Sequence, residues 1–158
     1  MVAPATYVTS LCRTMVQWSE EAETAFAGMD LERDDDRPAS LRRGFLSYFD
    51  PLQESTEEMV TRVEKLGRPD VADGAAVAGD LREELTTAAA RLKANRNSWA
   101  AIPLSDVQPA ASIEGALTVV QDQMRAVHDS VERLGRSPEL RPVWDREPAC
   151  TTFTEKRP

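Results

Sequence analysis

The chain has 158 residues, of which 41% are hydrophobic, and its 19 Lys and Arg against 27 Asp and Glu give a formal net charge of −8. This length fits one domain, and the apolar fraction is large enough for a core. The acidic excess argues against nucleic-acid binding, which needs basic residues to neutralise phosphates. No apolar run approaches the ~18 residues that cross a bilayer, so no transmembrane segment is expected.

Apolar residues recur at alternating steps of three and four in four stretches of the chain, for example at Leu11, Met15 and Trp18 in the first. This spacing is typical of the buried stripe of a left-handed helical bundle. No stretch alternates with period two, so no strand is expected. The sequence predicts an all-α protein with helices over about 5–29, 38–66, 70–99 and 105–134.

Helix-ending residues separate the four stretches. Gly67 and Gly135 directly follow the second and fourth stretches, where each is predicted to end its helix in the left-handed conformation. An acidic run at residues 34–36 is interpreted as a solvated loop rather than a calcium loop. The next helix is expected to open at Pro38 or Ser40. Pro51 lies inside the second stretch and predicts a kink or a break there.

Short connections favour antiparallel neighbours, so we expect an up-down-up-down four-helix bundle. In that topology the chain after the fourth helix emerges beside the first helix, which brings Cys150 near Cys12. We therefore expect a short C-terminal helix or tail tied back by a disulfide, with two unrelated thiols as the alternative. Residues 1–150 are assigned to one domain and residues 151–158 to a flexible tail.

The sequence assigns no catalytic, cofactor-binding or metal-binding residue. The single histidine, His128, has Arg125 three residues before it, so the Glu-x-x-His pairs of carboxylate-bridged di-metal bundles are missing. We interpret His128 as a structural histidine at the edge of the core, with a ligand or pH-sensing role as the alternative. Phosphate-binding glycine loops and nucleophile motifs are also missing from the sequence. These absences favour a non-enzymatic role, but the sequence does not decide whether the protein is an enzyme.

Aromatic residues concentrate near Pro51 and suggest two interpretations. The first is ordinary core packing, and the second is a pocket for a small apolar ligand beside a kinked helix. The candidate pocket residues are Trp18, Phe45, Tyr48, Phe49, Trp99 and Met124.

Three segments together resemble a group of small actinobacterial helical proteins, many of them exported or lipoprotein-like. They are residues 7–12 (YVTSLC) followed by Trp18, residues 63–77 (VEKLGRPDVADGAAV), and residues 137–140 (SPEL) with 147–150 (EPAC). The resemblance implies a bond between Cys12 and Cys150 and a location outside the cytoplasm. It implies no catalytic or binding residue.

The leading functional hypothesis is a non-enzymatic, extracytoplasmic binding or interaction module, acting as a monomer or dimer on a protein partner or small apolar ligand. The alternative is a cytoplasmic small-ligand-binding accessory protein or enzyme of a specialised biosynthetic pathway. Residues 1–5 have neither the basic nor the apolar region of a signal peptide, so no leader is expected in this sequence.

Overall fold

Helices make up the regular structure of the chain. A computed structural model describes residues 1–29, 37–106 and 109–158, with the backbone alone for residues 109–113. The helices are α1 (Pro4–Ala27), α2 (Pro38–Lys65), α3 (Gly74–Ala101), α4 (Pro109–Gly135), α5 (Arg141–Trp144) and α6 (Pro148–Glu155). Within these ranges no β-strand occurs, and Val2 makes an isolated bridge to Pro69. The all-α prediction is confirmed, while the predicted acidic loop at residues 34–36 lies outside the described ranges.

The four long helices alternate in direction, as predicted. On the α1–α2 contact, the Trp18 indole donates to the Thr56 hydroxyl at 3.0 Å, and Phe26 meets Tyr48 edge-on. Residue numbers therefore rise along α1 as they fall along α2. The same opposite order relates α2 to α3, where Asp50 pairs with Arg96 and Glu57 with Lys93. It also relates α3 to α4, because residues 77–84 share one cavity with residues 130–137 while the adjoining groove runs on to Arg91 and Gln123.

Gly67 and Gly135, which are both predicted to have positive φ, adopt different backbone conformations. Gly67 has φ 77° and ends α2 in the left-handed region, as predicted. Gly135 is the last residue of α4 and does not have positive φ, so that prediction is wrong. A Cβ on Gly135 would lie 2.2 Å from the Trp144 ring. Glycine at this position therefore makes room for an indole, because Trp144 packs directly against the backbone.

Pro51 lies inside a single continuous helix. Of the two alternatives that the sequence left open, a break does not occur, since α2 runs through Pro51 from Pro38 to Lys65. The Pro51 ring is exposed, whereas Phe49 and Leu52 on either side of it are buried. Burial of these neighbours stabilises the helix across Pro51, which lacks a backbone N–H donor in the helix interior.

The core consists of two clusters stacked along the bundle. One contains Leu11, Trp18, Val131 and Phe153, together with both cysteines. The other contains Phe45, Tyr48, Phe49, Leu92 and Trp99. Met124 packs against both clusters.

The C-terminal segment is a sixth helix rather than a flexible tail. Residues 151–155 belong to α6, and Phe153 is fully buried, so the prediction of a tail from residue 151 is wrong. Glu147 starts this helix by accepting a hydrogen bond from the Ala149 N–H at 3.2 Å. One apolar side chain placed a turn after Cys150 supplies the burial that orders the segment.

Replacing Gly135 by Ala should destabilise the protein by about 1–3 kcal/mol, since the added methyl overlaps the Trp144 ring. Gly79→Ala is the matched control, because Gly79 lies inside α3 and a Cβ there meets nothing within 4 Å. That change should stabilise by about 0.5–1 kcal/mol through helix propensity. Urea unfolding of the two variants measures both effects, and equal stability of Gly135→Ala and the parent would contradict this packing.

Candidate functional site

A disulfide bond joins α6 to α1. Cys12 and Cys150 are bonded with their Cα atoms 4.9 Å apart, and both are fully buried. Neither is a free thiol, and no other cysteine occurs in the sequence. The bond closes a separation of 138 residues, which in the chain-entropy model contributes up to about 5 kcal/mol to folding. The predicted disulfide that ties the C-terminal element to the first helix is present.

Polar contacts on either side of the disulfide hold α6 along α1. The Thr9 hydroxyl donates to a Glu147 carboxylate oxygen at one end, and Lys156 pairs with Glu23 at 3.1 Å at the other. Hydrogen bonds from Thr9 and from the Ala149 N–H favour the ionised carboxylate and lower the pKa of Glu147. The whole of α6 is therefore fixed on α1, and not only the turn that contains Cys150.

On its other side α6 covers the only histidine of the chain. The His128 ring stacks on Phe153 with centroids 4.0 Å apart and lies 6.5 Å from the Trp18 ring. His128 is fully buried, and neither ring nitrogen has a hydrogen-bond partner in the described part of the chain. Burial, with a smaller contribution from the charge of Arg157, lowers the pKa of His128 to about 4, while the charge of Asp129 opposes the shift. The imidazole is neutral at pH 7 and packs as a flat, largely apolar ring.

A second polar group is buried one turn along α4 from His128. The Glu132 side chain is only 6% exposed, and its Oε2 lies 2.7 Å from Arg136 and 3.9 Å from Arg157. Its Oε1 has no hydrogen-bond partner among the described residues. Arg157 also pairs with Asp129, so the residues that follow α6 bind the same face of α4.

The predicted pocket residues fall into two groups. Trp18 belongs to the cluster that contains the disulfide, where its indole N–H is bonded to Thr56. The four aromatic residues Phe45, Tyr48, Phe49 and Trp99 belong to the other cluster and are in mutual ring contact, with the Phe45 and Trp99 centroids 4.6 Å apart.

Met124 lies between the two clusters and is partly buried. The structure thus places Trp18 apart from the other predicted aromatic residues. Those four rings pack directly on one another. The ligand role of these residues stays a prediction.

Two surface grooves lie between adjacent helices. The α1–α2 groove has a volume of about 490 Å³ and four carboxylates on its walls: Glu20, Glu21, Glu54 and Glu58. Arg62 pairs with two of them, Glu21 at 3.7 Å and Glu58 at 2.8 Å. The α3–α4 groove is larger, about 640 Å³, and has side chains of both charges.

The α3–α4 groove has a floor of small and polar side chains. Ala88, Gln123 and Ser130 line it and are buried. Across the groove, Arg133 on α4 pairs with Glu84 on α3 at 2.8 Å. Sequence reasoning missed this groove because it followed the apolar stripes alone. The signal was available in the small and polar residues of the fourth helix at three- and four-residue spacing beside its apolar stripe.

In the described residues, no three His, Cys, Asp or Glu side chains come close enough together to hold a metal ion. No helix in that part of the chain is both long and apolar enough to cross a membrane. Comparison of the sequence with protein-family models and curated proteins, and of the fold with solved structures, finds no match.

Acidification should destabilise the protein by way of His128. Its pKa is near 6.5 in the unfolded chain and about 4 in the folded protein, so the unfolded state binds the proton first. Stability from this group is complete above pH 6.5 and is lost as the pH falls toward 4, by about 3 kcal/mol at pH 4. Urea unfolding between pH 7 and pH 4 measures this loss.

His128→Leu is the comparison variant, because leucine keeps an apolar side chain under Phe153 and cannot be protonated. Its unfolding free energy should fall less with acid than that of the parent. Glu147 titrates in both proteins, so its contribution cancels in the difference. Parallel pH curves for the two proteins would show that His128 is not the titrating group.

Proposed function

We propose that this protein is a non-enzymatic helical-bundle module that binds a partner outside the cytoplasm. The observation that carries the proposal is the buried bond between Cys12 and Cys150. Disulfides persist in oxidising compartments and are rare where glutathione and thioredoxin keep thiols reduced. A fold that uses both of its cysteines in one buried structural bond fits an oxidising compartment.

The interior packing supports a binding surface over an internal ligand pocket. Aromatic rings near Pro51 contact one another, as in Phe45 with Trp99 and Tyr48 with Phe49. Opening a cavity there would separate these rings and lose their dispersion contacts. The α1–α2 and α3–α4 grooves, by contrast, already lie at the surface. A role in binding through an outer groove therefore requires no repacking of the core.

We also propose that the chain belongs with the small actinobacterial helical proteins that its sequence resembles. The resemblance implies a bond between the first-helix cysteine and the C-terminal cysteine, and Cys12 and Cys150 form that bond. The Glu-Pro-Ala-Cys segment at 147–150 supplies the N-cap, the first residue and the bonded cysteine of α6. This segment thus has a structural role that a shared fold would preserve.

Thiol trapping in the native cells tests the compartment. Cells are fractionated and denatured in N-ethylmaleimide before any reduction, and the intact mass of the protein is measured. We expect the protein in the extracytoplasmic fraction, free of adducts and lighter than its reduced form by two hydrogen atoms. Recovery in the cytoplasmic fraction with two adducts would overturn the proposed location.

The Cys150→Ser variant is the control for this experiment. It leaves Cys12 without a partner, so it should take up one adduct after denaturation and prove that the reagent reaches a free thiol. An adduct on this variant and none on the parent would show that the bond exists in the cell rather than forming during isolation.

A further inference from the structure

We propose that the α3–α4 groove binds an extended peptide segment of a partner protein that carries an apolar side chain, then a basic side chain, then a carboxylate. This inference rests on the proposed function as a binding module and names the chemistry of its partner. It is carried by the charges left unpaired along the groove and by one accessible amide on its floor.

A side-chain amide that no other described residue binds lies on the floor of the groove. Gln123 lines the groove, is only 9% exposed, and makes no side-chain hydrogen bond in the described part of the chain. Its amide atoms are not among the buried polar atoms that lack a partner, so they reach the surface of the groove and are open to a ligand. A glutamine amide offers a donor and an acceptor side by side, which matches the N–H and C=O of a peptide backbone.

The two ends of the groove carry opposite free charges. Because α3 and α4 are antiparallel, Arg91 and Gln123 lie toward one end of the groove and Asp80 toward the other. Arg91 has no ion pair within the described ranges, so its guanidinium is available to a carboxylate.

At the opposite end, Asp80 and Glu83 likewise have no ion pair in the part of the chain that the structure describes. The neighbouring carboxylate of Glu84 is neutralised by Arg133 at 2.8 Å. The unpaired acids therefore favour a basic side chain of the ligand at this end. A simple polyamine would match these acids but would leave Arg91 and Gln123 without partners.

A smaller cavity continues the groove past Asp80. It has a volume of about 110 Å³, comparable to one branched aliphatic side chain, and is lined by Val77, Leu81 and Leu134. Asp80 and Arg133 line both spaces, so the two are adjacent. An apolar side chain next to the basic residue of the ligand would fill it.

The length of the groove sets the length of the peptide. Fourteen helical residues separate Val77 from Arg91, which at ~1.5 Å per residue is about 21 Å. An extended chain covers this distance with about six residues at ~3.3 Å each.

A positional-scanning library of fluorescein-labelled hexapeptides tests the proposal on the full oxidised chain. We expect enrichment of an apolar residue, Lys or Arg after it, and Asp or Glu toward the other end. For the best hexapeptide, Arg91→Glu should raise Kd about tenfold or more, and Gln123→Leu should raise Kd for any peptide that binds. Replacing the acidic residue of that hexapeptide by Lys should restore binding to Arg91→Glu, which a folding defect would not allow.

Arg125→Glu is the matched control, because Arg125 is exposed on α4 outside the groove and pairs only weakly with Asp122 at 3.8 Å. It should leave Kd unchanged. Three results would overturn the proposal: no enriched peptide, equal losses in Arg91→Glu and Arg125→Glu, or spermidine binding as tightly as the best peptide. Each concerns the groove alone, whereas reduced thiols in cytoplasmic protein would contradict the proposed location and leave peptide binding intact.

Discussion

The bond between Cys12 and Cys150 fixes α6 on α1, and the helix fixed in this way covers the side of the bundle between α1 and α4. α1 packs against α2 and α6, while α4 packs against α3. The Phe153 ring on His128 and the pairing of Arg157 with Asp129 connect α6 to α4. A short helix thus closes the side on which four long helices would leave the core open to water. An isolated helix of eight residues, the length of α6, is only marginally stable in water. The disulfide holds α6 in place despite this low intrinsic stability.

The position of α6 buries polar atoms that have no hydrogen-bond partner among the described residues, which is unfavourable for stability. His128 has no hydrogen bond on either ring nitrogen, and Glu132 has one carboxylate oxygen without a partner in the described chain. Both lie on the face of α4 next to α6, where burial of Phe153 supplies compensating apolar contact. The grooves lie at the other helix junctions, but Asp129, which pairs with Arg157, also lines the α3–α4 groove. The surface that closes the bundle and the surface proposed for binding therefore meet at Asp129.

Spacing of apolar residues predicted the four long helices because it shows which residues face inward, and the short connections predicted their alternating directions. Pairwise contacts across the bundle were not predictable in the same way. Gly135 has the sequence of a helix cap, yet its role is decided by Trp144 lying against it. Phe153 is one apolar residue in a polar segment, too few to show a helical period, so its burial depends on a distant cysteine. The groove on α3 and α4 depends on small and polar residues that apolar patterning ignores.

The sequence by itself determined the all-α class, the up-down-up-down order and the candidate pairing of the two cysteines, because periodicity and short connections limit the topology. Tertiary structure alone decided that residues 148–155 form a helix, that α2 continues through Pro51, and that His128 is fully buried. It also decided that the aromatic residues near Pro51 pack on one another while polar space opens between α3 and α4. Each of these outcomes depends on contacts between residues far apart in the chain, whose energies no local pattern contains.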